Sequence, residues 1–108
     1  MDSYIVETII SAKKHKEWLQ LARIISGPKR NYLNINLKEI DAKTSEGDTV
    51  IIPGKVLGTG DLSKRIKVCA LYFSDSAKDK LTKNKSQMCK IIDEIKKNQK
   101  AEGVKILR

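Results

Sequence analysis

Histidine occurs once in these 108 residues, cysteine and proline twice each, and aromatic residues only five times. One histidine and two cysteines are too few for a metal centre built from imidazoles and thiolates, and no carboxylates cluster at ligand spacing, so no metal is expected. His15 has no nucleophile beside it in the chain, and nothing supports a catalytic pairing of it with Cys69 or Cys89. Each cysteine stands singly among apolar neighbours, the pattern of reduced, buried thiols rather than a disulfide. No apolar run approaches the roughly 18 residues that span a bilayer. The start Met1-Asp2-Ser3 lacks the basic stretch and apolar run of a secretory leader. With Trp18 on an apolar helix face, Tyr32 and Tyr72 are the remaining candidates for stacking on bases, too few for a base-stacking platform.

What is abundant is positive charge. Lysine and arginine number 22 against 13 acidic residues, a net charge of +9. Residues 1–60 carry 9 basic and 7 acidic groups, and residues 61–108 carry 13 and 6, so the excess lies in the second half. A small basic domain favours polyanions, because neutralising phosphates releases their counterions; an anionic membrane surface is the competing partner. Leu, Ile, Val and Phe together supply 29 residues, enough for one modest hydrophobic core. One domain over residues 1–108 is expected.

Periodicity places the elements. Ile5, Ile9 and Ala12 share a helical face within 4–12, and Trp18, Leu21, Ala22 and Ile25 share another within 16–25. Gly27-Pro28 ends that second helix. Residues 31–36 alternate as a short strand, and Leu37 and Ile40 mark a brief helix. Thr49–Ile52 and Ile66–Phe73 are β-branched or apolar runs that suit buried strands. Ser74 caps a helix through Ala77 and Leu81, closed by Lys83-Asn84-Lys85-Ser86. Met88, Ile91, Ile92 and Ile95 have the spacing of another helix, and Val104–Leu107 closes the chain as a strand. Short strands alternating with short helices make an α/β domain, with the strand order left open.

The densest motif is Val50-Ile51-Ile52-Pro53-Gly54-Lys55-Val56-Leu57-Gly58-Thr59-Gly60, where an apolar run meets a proline and becomes glycine-spaced. Lys55 precedes Gly58 and Gly60 and is followed by Val56, whereas a nucleotide-cradling loop needs glycines first and Ser or Thr directly after the lysine. A small phosphate-binding enzyme is therefore disfavoured. Two readings stay open and are compatible: tight turns between strands, or close backbone approach to RNA phosphates beside Lys55, Lys64 and Arg65. Pro28-Lys29-Arg30-Asn31 is a second candidate, a stiffened basic turn in which Arg30 can pair bidentately with phosphate. Lys13 and Lys14 at a helix junction form a third. The lysines from Lys78 to Lys100 spread around helices as a solvated face.

Residues Val50 to Ser74, with Pro53-Gly54-Lys55-Val56-Leu57-Gly58-Thr59-Gly60 and Leu71-Tyr72-Phe73-Ser74, resemble the archaeal and eukaryotic large-subunit ribosomal protein eighteen family, a relative of bacterial large-subunit ribosomal protein fifteen. Trp18 ahead of Ala22, the Pro28-Lys29-Arg30 turn, Asn36-Leu37 with Ile40, and the ending Gly103-Val104-Lys105-Ile106-Leu107-Arg108 extend the likeness over nearly the whole chain. Lys83-Asn84-Lys85 stands where the family usually has a glycine pair, with Asn84 suited to the left-handed turn. Asp2 replaces a basic leader, and Val68-Cys69-Ala70 replaces small alanines.

The resemblance implies layers of β-strands and helices, with residues 1–26 a helical segment packed on an α/β core of residues 31–108. It implies a non-enzymatic constituent of the large ribosomal subunit, in the cytoplasm. Its partners would be ribosomal RNA and neighbouring ribosomal proteins, with no membrane, cofactor or small-molecule substrate. The expected RNA contacts are Lys29, Arg30, Asn31, Gly54, Lys55, Gly58, Gly60, Lys64 and Arg65, with Lys13 and Lys14. The alternative is an RNA-binding regulator or assembly factor acting off the ribosome.

Overall fold

The computed structural model describes residues 3–107; Met1, Asp2 and the terminal Arg108 lie outside the described residues. Helix α1 (Ser3–Lys13) buries Ile5, Thr8, Ile9 and Ala12, one stripe at helical spacing. Helix α2 (Leu19–Ser26) buries Leu21, Ala22 and Ile25. The helix expected to begin at Lys16 starts instead as a 3-10 turn, Lys16–Trp18, which swings the Trp18 indole into the core. There its N–H donates to the Asn98 carbonyl at 2.9 Å.

Strands β1 (Leu33–Asn36), β2 (Thr49–Leu57), β3 (Lys67–Phe73) and β4 (Gln87–Lys90) lie side by side in that order, all parallel. Strand β5 (Val104–Ile106) pairs with the first half of β2, from Thr49 to Ile51, while β1 pairs with its second half, from Gly54 to Leu57. One edge of β2 is thus shared by two strands. Helix α3 (Leu37–Lys43) follows β1, α4 (Asp75–Lys83) follows β3 and α5 (Ile91–Lys97) follows β4. Crossovers of one hand that advance along a sheet lie on one face, and one that returns lies on the other. Accordingly α3 and α4 pack with Val50, Ile52, Val56, Val68 and Ala70. On the opposite face α5 joins α1 and α2 around Ile51, Cys69 and Leu71. Burial on both faces is why Val50–Ile52 of β2 and Val68–Leu71 of β3 are continuous apolar runs rather than alternating ones.

Three local expectations change. Gln87–Lys90, read as the start of a helix, is a strand, because Met88 and Cys89 pair in register with Val68 and Cys69. The helical pattern holds only from Ile91 onward. The left-handed residue in the turn after α4 is Lys85, with φ of 61°, and not Asn84. Asn84 instead donates from Nδ2 to the Lys64 carbonyl at 2.6 Å. The cysteines, read as standing apart, are neighbours across β3 and β4.

The largest change concerns Pro53-Gly54. The strand does not stop at Pro53 but runs on to Leu57. Proline lacks an N–H and is tolerated inside a sheet at irregularities. Pro53 sits at one: the β2–β3 register shifts between Ile52 and Lys55, and the opposite edge changes partner from β5 to β1.

Candidate nucleic-acid interface

The connection between β2 and β3 determines what its glycines can do. Because Thr49 faces Lys67 and Val56 faces Phe73 in parallel register, the chain must return the length of the strand between Leu57 and Lys67. That return is about 26 Å, against a reach of about 33 Å for a fully extended segment of this length. Residues 58–66 are therefore a strap laid between α3 and α4, with little slack for a compact phosphate cradle.

The glycines fit the strand and its strap to their own protein. A Cβ on Gly54 would stand 1.8 Å from the Leu33 carbonyl oxygen, one on Gly58 2.0 Å from Ser76 Oγ, and one on Gly60 2.6 Å from Lys38 Cβ. Gly60 also has φ of +83°, a conformation that side chains disfavour. All three glycines thus serve close approaches within the molecule, and Gly54 is buried whereas Gly58 and Gly60 are half-exposed.

The strap is also bonded along its length. Ser63 donates to Asp41 Oδ1 from its N–H at 2.9 Å and from its hydroxyl at 2.8 Å. Those bonds, with the Lys64 ammonium beside them, hold the Asp41 carboxyl below the usual carboxylate range. The Lys64 ammonium donates to the carbonyls of Asp41 and Thr44, the latter at 2.6 Å. The Lys80 ammonium reaches the Gly60 carbonyl at 2.8 Å, and the Arg65 N–H is bound by the Glu46 carboxylate. Lys64 is a clamp of the strap, with two of its three ammonium donors spent on carbonyls.

The other expected cations divide into separate regions. Lys29, Arg30 and Asn31 form an exposed 3-10 turn after Pro28. The turn is held rigid by Tyr32, whose hydroxyl donates to the Ile25 carbonyl at 2.6 Å. Burial pushes the Tyr32 hydroxyl above its ordinary pKa, so it stays a donor. Beside the turn lies a depression of about 360 Å³ with Arg23 and Asn31 at its polar side and Ile24, Leu33 and Pro53 as its apolar floor. Lys29 and Arg30 have no ion-pair partner among the described residues.

Lys55 is exposed in mid-sheet, in register with Asn34 on β1 and Tyr72 on β3. Tyr72 meets the edge of Tyr4 with ring centroids 6.3 Å apart, and the Lys90 ammonium lies 5.4 Å from the Tyr4 centroid. Arg65 is exposed at the opposite end of the strands, by a depression of about 370 Å³ shared with Lys67 and Lys85. Lys13 and Lys14 are exposed at the end of α1, with Lys14 and Lys96 lining one shallow groove.

Sequence reading missed Arg23 and Lys85 as members of these groups. Arg23 lies on the polar side of α2 just before the turn, and helical spacing would have found it. Lys85 takes its place only through a left-handed turn, which nothing about a lysine announces.

Similar proteins are consistent in kind. The chain is 42% identical over 93 residues to the large ribosomal subunit protein eL18 of Methanoregula boonei, covering 86% of this chain and 77% of that one. It is 43% identical over 89 residues to the eL18 protein of Nanoarchaeum equitans, covering 81% and 75%. The eL18 protein of Thermoplasma acidophilum is 34% identical over 106 residues, covering 95% and 88%. The family of ribosomal proteins described by its 50S-L15 and 50S-L18e members, together with a 60S member, matches residues 10–88, from within α1 through the first half of β4. With most of the sheet, the strap and every expected contact residue inside that span, this chain belongs to the 50S-L15 and 50S-L18e family of large-subunit ribosomal proteins.

Proposed function

We propose that this protein is a structural, non-enzymatic constituent of the large ribosomal subunit and holds ribosomal RNA by phosphate contacts from a rigid α/β body. The observation that carries the RNA contact is the Lys29–Asn31 turn, where two exposed cations, without ion pairs among the described residues, are fixed by Pro28 and Tyr32. On this turn the Arg30 guanidinium offers a planar fork that can pair bidentately with a phosphate. Lys55 and Arg65 supply further contacts from other parts of the surface. Lys13 and Lys14 add attraction along α1.

Contacts spread over separate regions suit a folded RNA whose segments converge on the protein, read by shape and phosphate rather than by sequence. Gly58 and Gly60 contribute indirectly, by letting the strap lie between α3 and α4, and Gly54 by letting β1 pair closely with β2. Neighbouring ribosomal proteins would complete the setting, in the cytoplasm.

Sedimentation of the tagged chain in a native extract on a sucrose gradient tests this. Stoichiometric migration with the large subunit, kept through a high-salt wash, is expected. Migration at the top of the gradient, or loss at modest salt, would assign the chain to an off-ribosome RNA-binding role and overturn the proposal.

A further inference from the structure

Cys69 on β3 and Cys89 on β4 are register partners in a parallel pair. Adjacent strands lie about 4.8 Å apart, inside the Cα separation of roughly 4.4–6.8 Å that a disulfide requires. Their sulfurs face each other at 2.6 Å, and both cysteines are free thiols. The two side chains sit on the face covered by α5 and α1. They differ in access: Cys69 is fully buried, whereas Cys89 is half-buried on the outer strand.

Their surroundings separate them chemically. Its hydrogen bond with Cys69 and the nearby Lys67 ammonium draw Cys89 below its ordinary pKa, against burial and the Glu94 and Asp93 carboxylates. The same hydrogen bond and burial push Cys69 up. The half-buried Cys89 is thus the more readily ionised of the two. Lys67 is anchored by the Glu94 carboxylate at 2.5 Å. The carboxylate oxygen of Glu94 and both sulfurs lie within 4.8 Å of one another, but the ammonium of Lys67 already neutralises that carboxylate. The pair therefore presents itself as a dithiol.

We propose that Cys69 and Cys89 are an oxidisable dithiol that a peroxide converts to an intramolecular disulfide. The Cys89 thiolate attacks one peroxide oxygen; the S–O bond forms, the O–O bond breaks, and hydroxide leaves and takes up a proton as water. The Cys69 sulfur then attacks the Cys89 sulfenic sulfur. The S–S bond forms, the S–O bond breaks, and the departing hydroxide carries away the Cys69 proton as a second water. The two sulfurs together lose two electrons and the peroxide gains them. A dithiol reductant reverses the step. The disulfide ties the outer strand β4, and with it the start of α5, to the centre of the sheet. The inference is independent of RNA binding.

The experiment treats the reduced full-length chain with increasing hydrogen peroxide and follows intact mass, free thiols and melting temperature. The expected result is joint loss of both thiols, a mass decrease of two hydrogens, a higher melting temperature, and full recovery with dithiothreitol. In Cys69→Ala, Cys89 should stop at the sulfenic acid and be trapped by dimedone. Stepwise oxygen addition to the wild-type chain, or disulfides formed only between molecules, would overturn the proposal. So would tight binding of zinc ion alone that shields both thiols from peroxide, since it would make the pair a metal site.

Discussion

Gly54 on β2 lies so close to Leu33 on β1 that a Cβ would stand 1.8 Å from the Leu33 carbonyl oxygen. The pair is the first rung of the β1–β2 ladder. Backbone cannot move aside as a side-chain tip can, so Gly54→Ala must break that rung or shift β1. The expected loss is about 3 kcal/mol, at the upper end of overpacking effects. Gly27→Ala is the control, since its Cβ would make only ordinary contact at 3.5 Å and its φ is negative. It should stay within about 1 kcal/mol of the parent. Urea unfolding of the three proteins measures both.

The strap should make stability acid-sensitive through Asp41. Its carboxyl is held low by the two Ser63 hydrogen bonds and by Lys64, so the folded state favours the ionised form. A depressed carboxyl contributes its stability above the unfolded value of 3.8 and loses it as pH falls through the folded value. As pH is lowered from 3.8 through the folded value, the melting temperature of the wild type should therefore fall more steeply than that of Asp41→Asn. Parallel slopes for the two proteins would remove Asp41 as an anchor.

Lys67 and Glu94 give the opposite sign at the other end of the scale. Glu94 is nearly buried at 6% side-chain exposure, and its hydrogen bond raises the Lys67 pKa. A raised ammonium contributes fully below its unfolded value of 10.5 and loses that contribution as pH climbs through the folded value. Lys67→Met leaves the Glu94 carboxylate buried without its cation and should cost about 3 kcal/mol near neutral pH. Lys67→Met with Glu94→Leu should recover much of that loss, because replacing both charges removes the stranded one. Denaturant melts of the single and double variants measure the coupling.

These contrasts explain how far sequence carried the fold. The central strands were legible as buried because Thr49–Ile52 and Ile66–Phe73 are largely apolar without alternation, and the first helices because Ile5, Ile9 and Ala12, then Leu21, Ala22 and Ile25, recur at helical spacing. Gln87–Lys90 was not, because a short edge strand is defined by its partner: Met88 has the spacing to belong to α5, and only pairing with Val68 makes it β. Pro53-Gly54 misled for a related reason. Proline and glycine usually punctuate strands, yet here they serve a strand that changes neighbours midway. The expected contact residues carried no sign of which were already occupied. Lys64 and Lys55 look alike in sequence, but one is bonded to two carbonyls and the other is exposed in mid-sheet.

That difference is one that RNA binding and thermal stability, measured together, can resolve. Arg30 and Lys29 stand exposed on a fixed turn, so Arg30→Ala and Lys29→Ala should each weaken binding to large-subunit RNA. Each should also lower the slope of log affinity against log salt by about 1, while leaving the melting temperature near that of the parent. Lys64→Ala should do the reverse. It frees the carbonyls of Asp41 and Thr44, loosens the strap and lowers the melting temperature, but leaves the salt slope unchanged because no phosphate contact is lost. Filter binding across a salt series, paired with thermal melts of the same preparations, reads both quantities. A reduced slope for Lys64→Ala with unaltered stability would mean that its ammonium leaves the strap to meet RNA. An unchanged slope for Arg30→Ala would take the turn out of the interface.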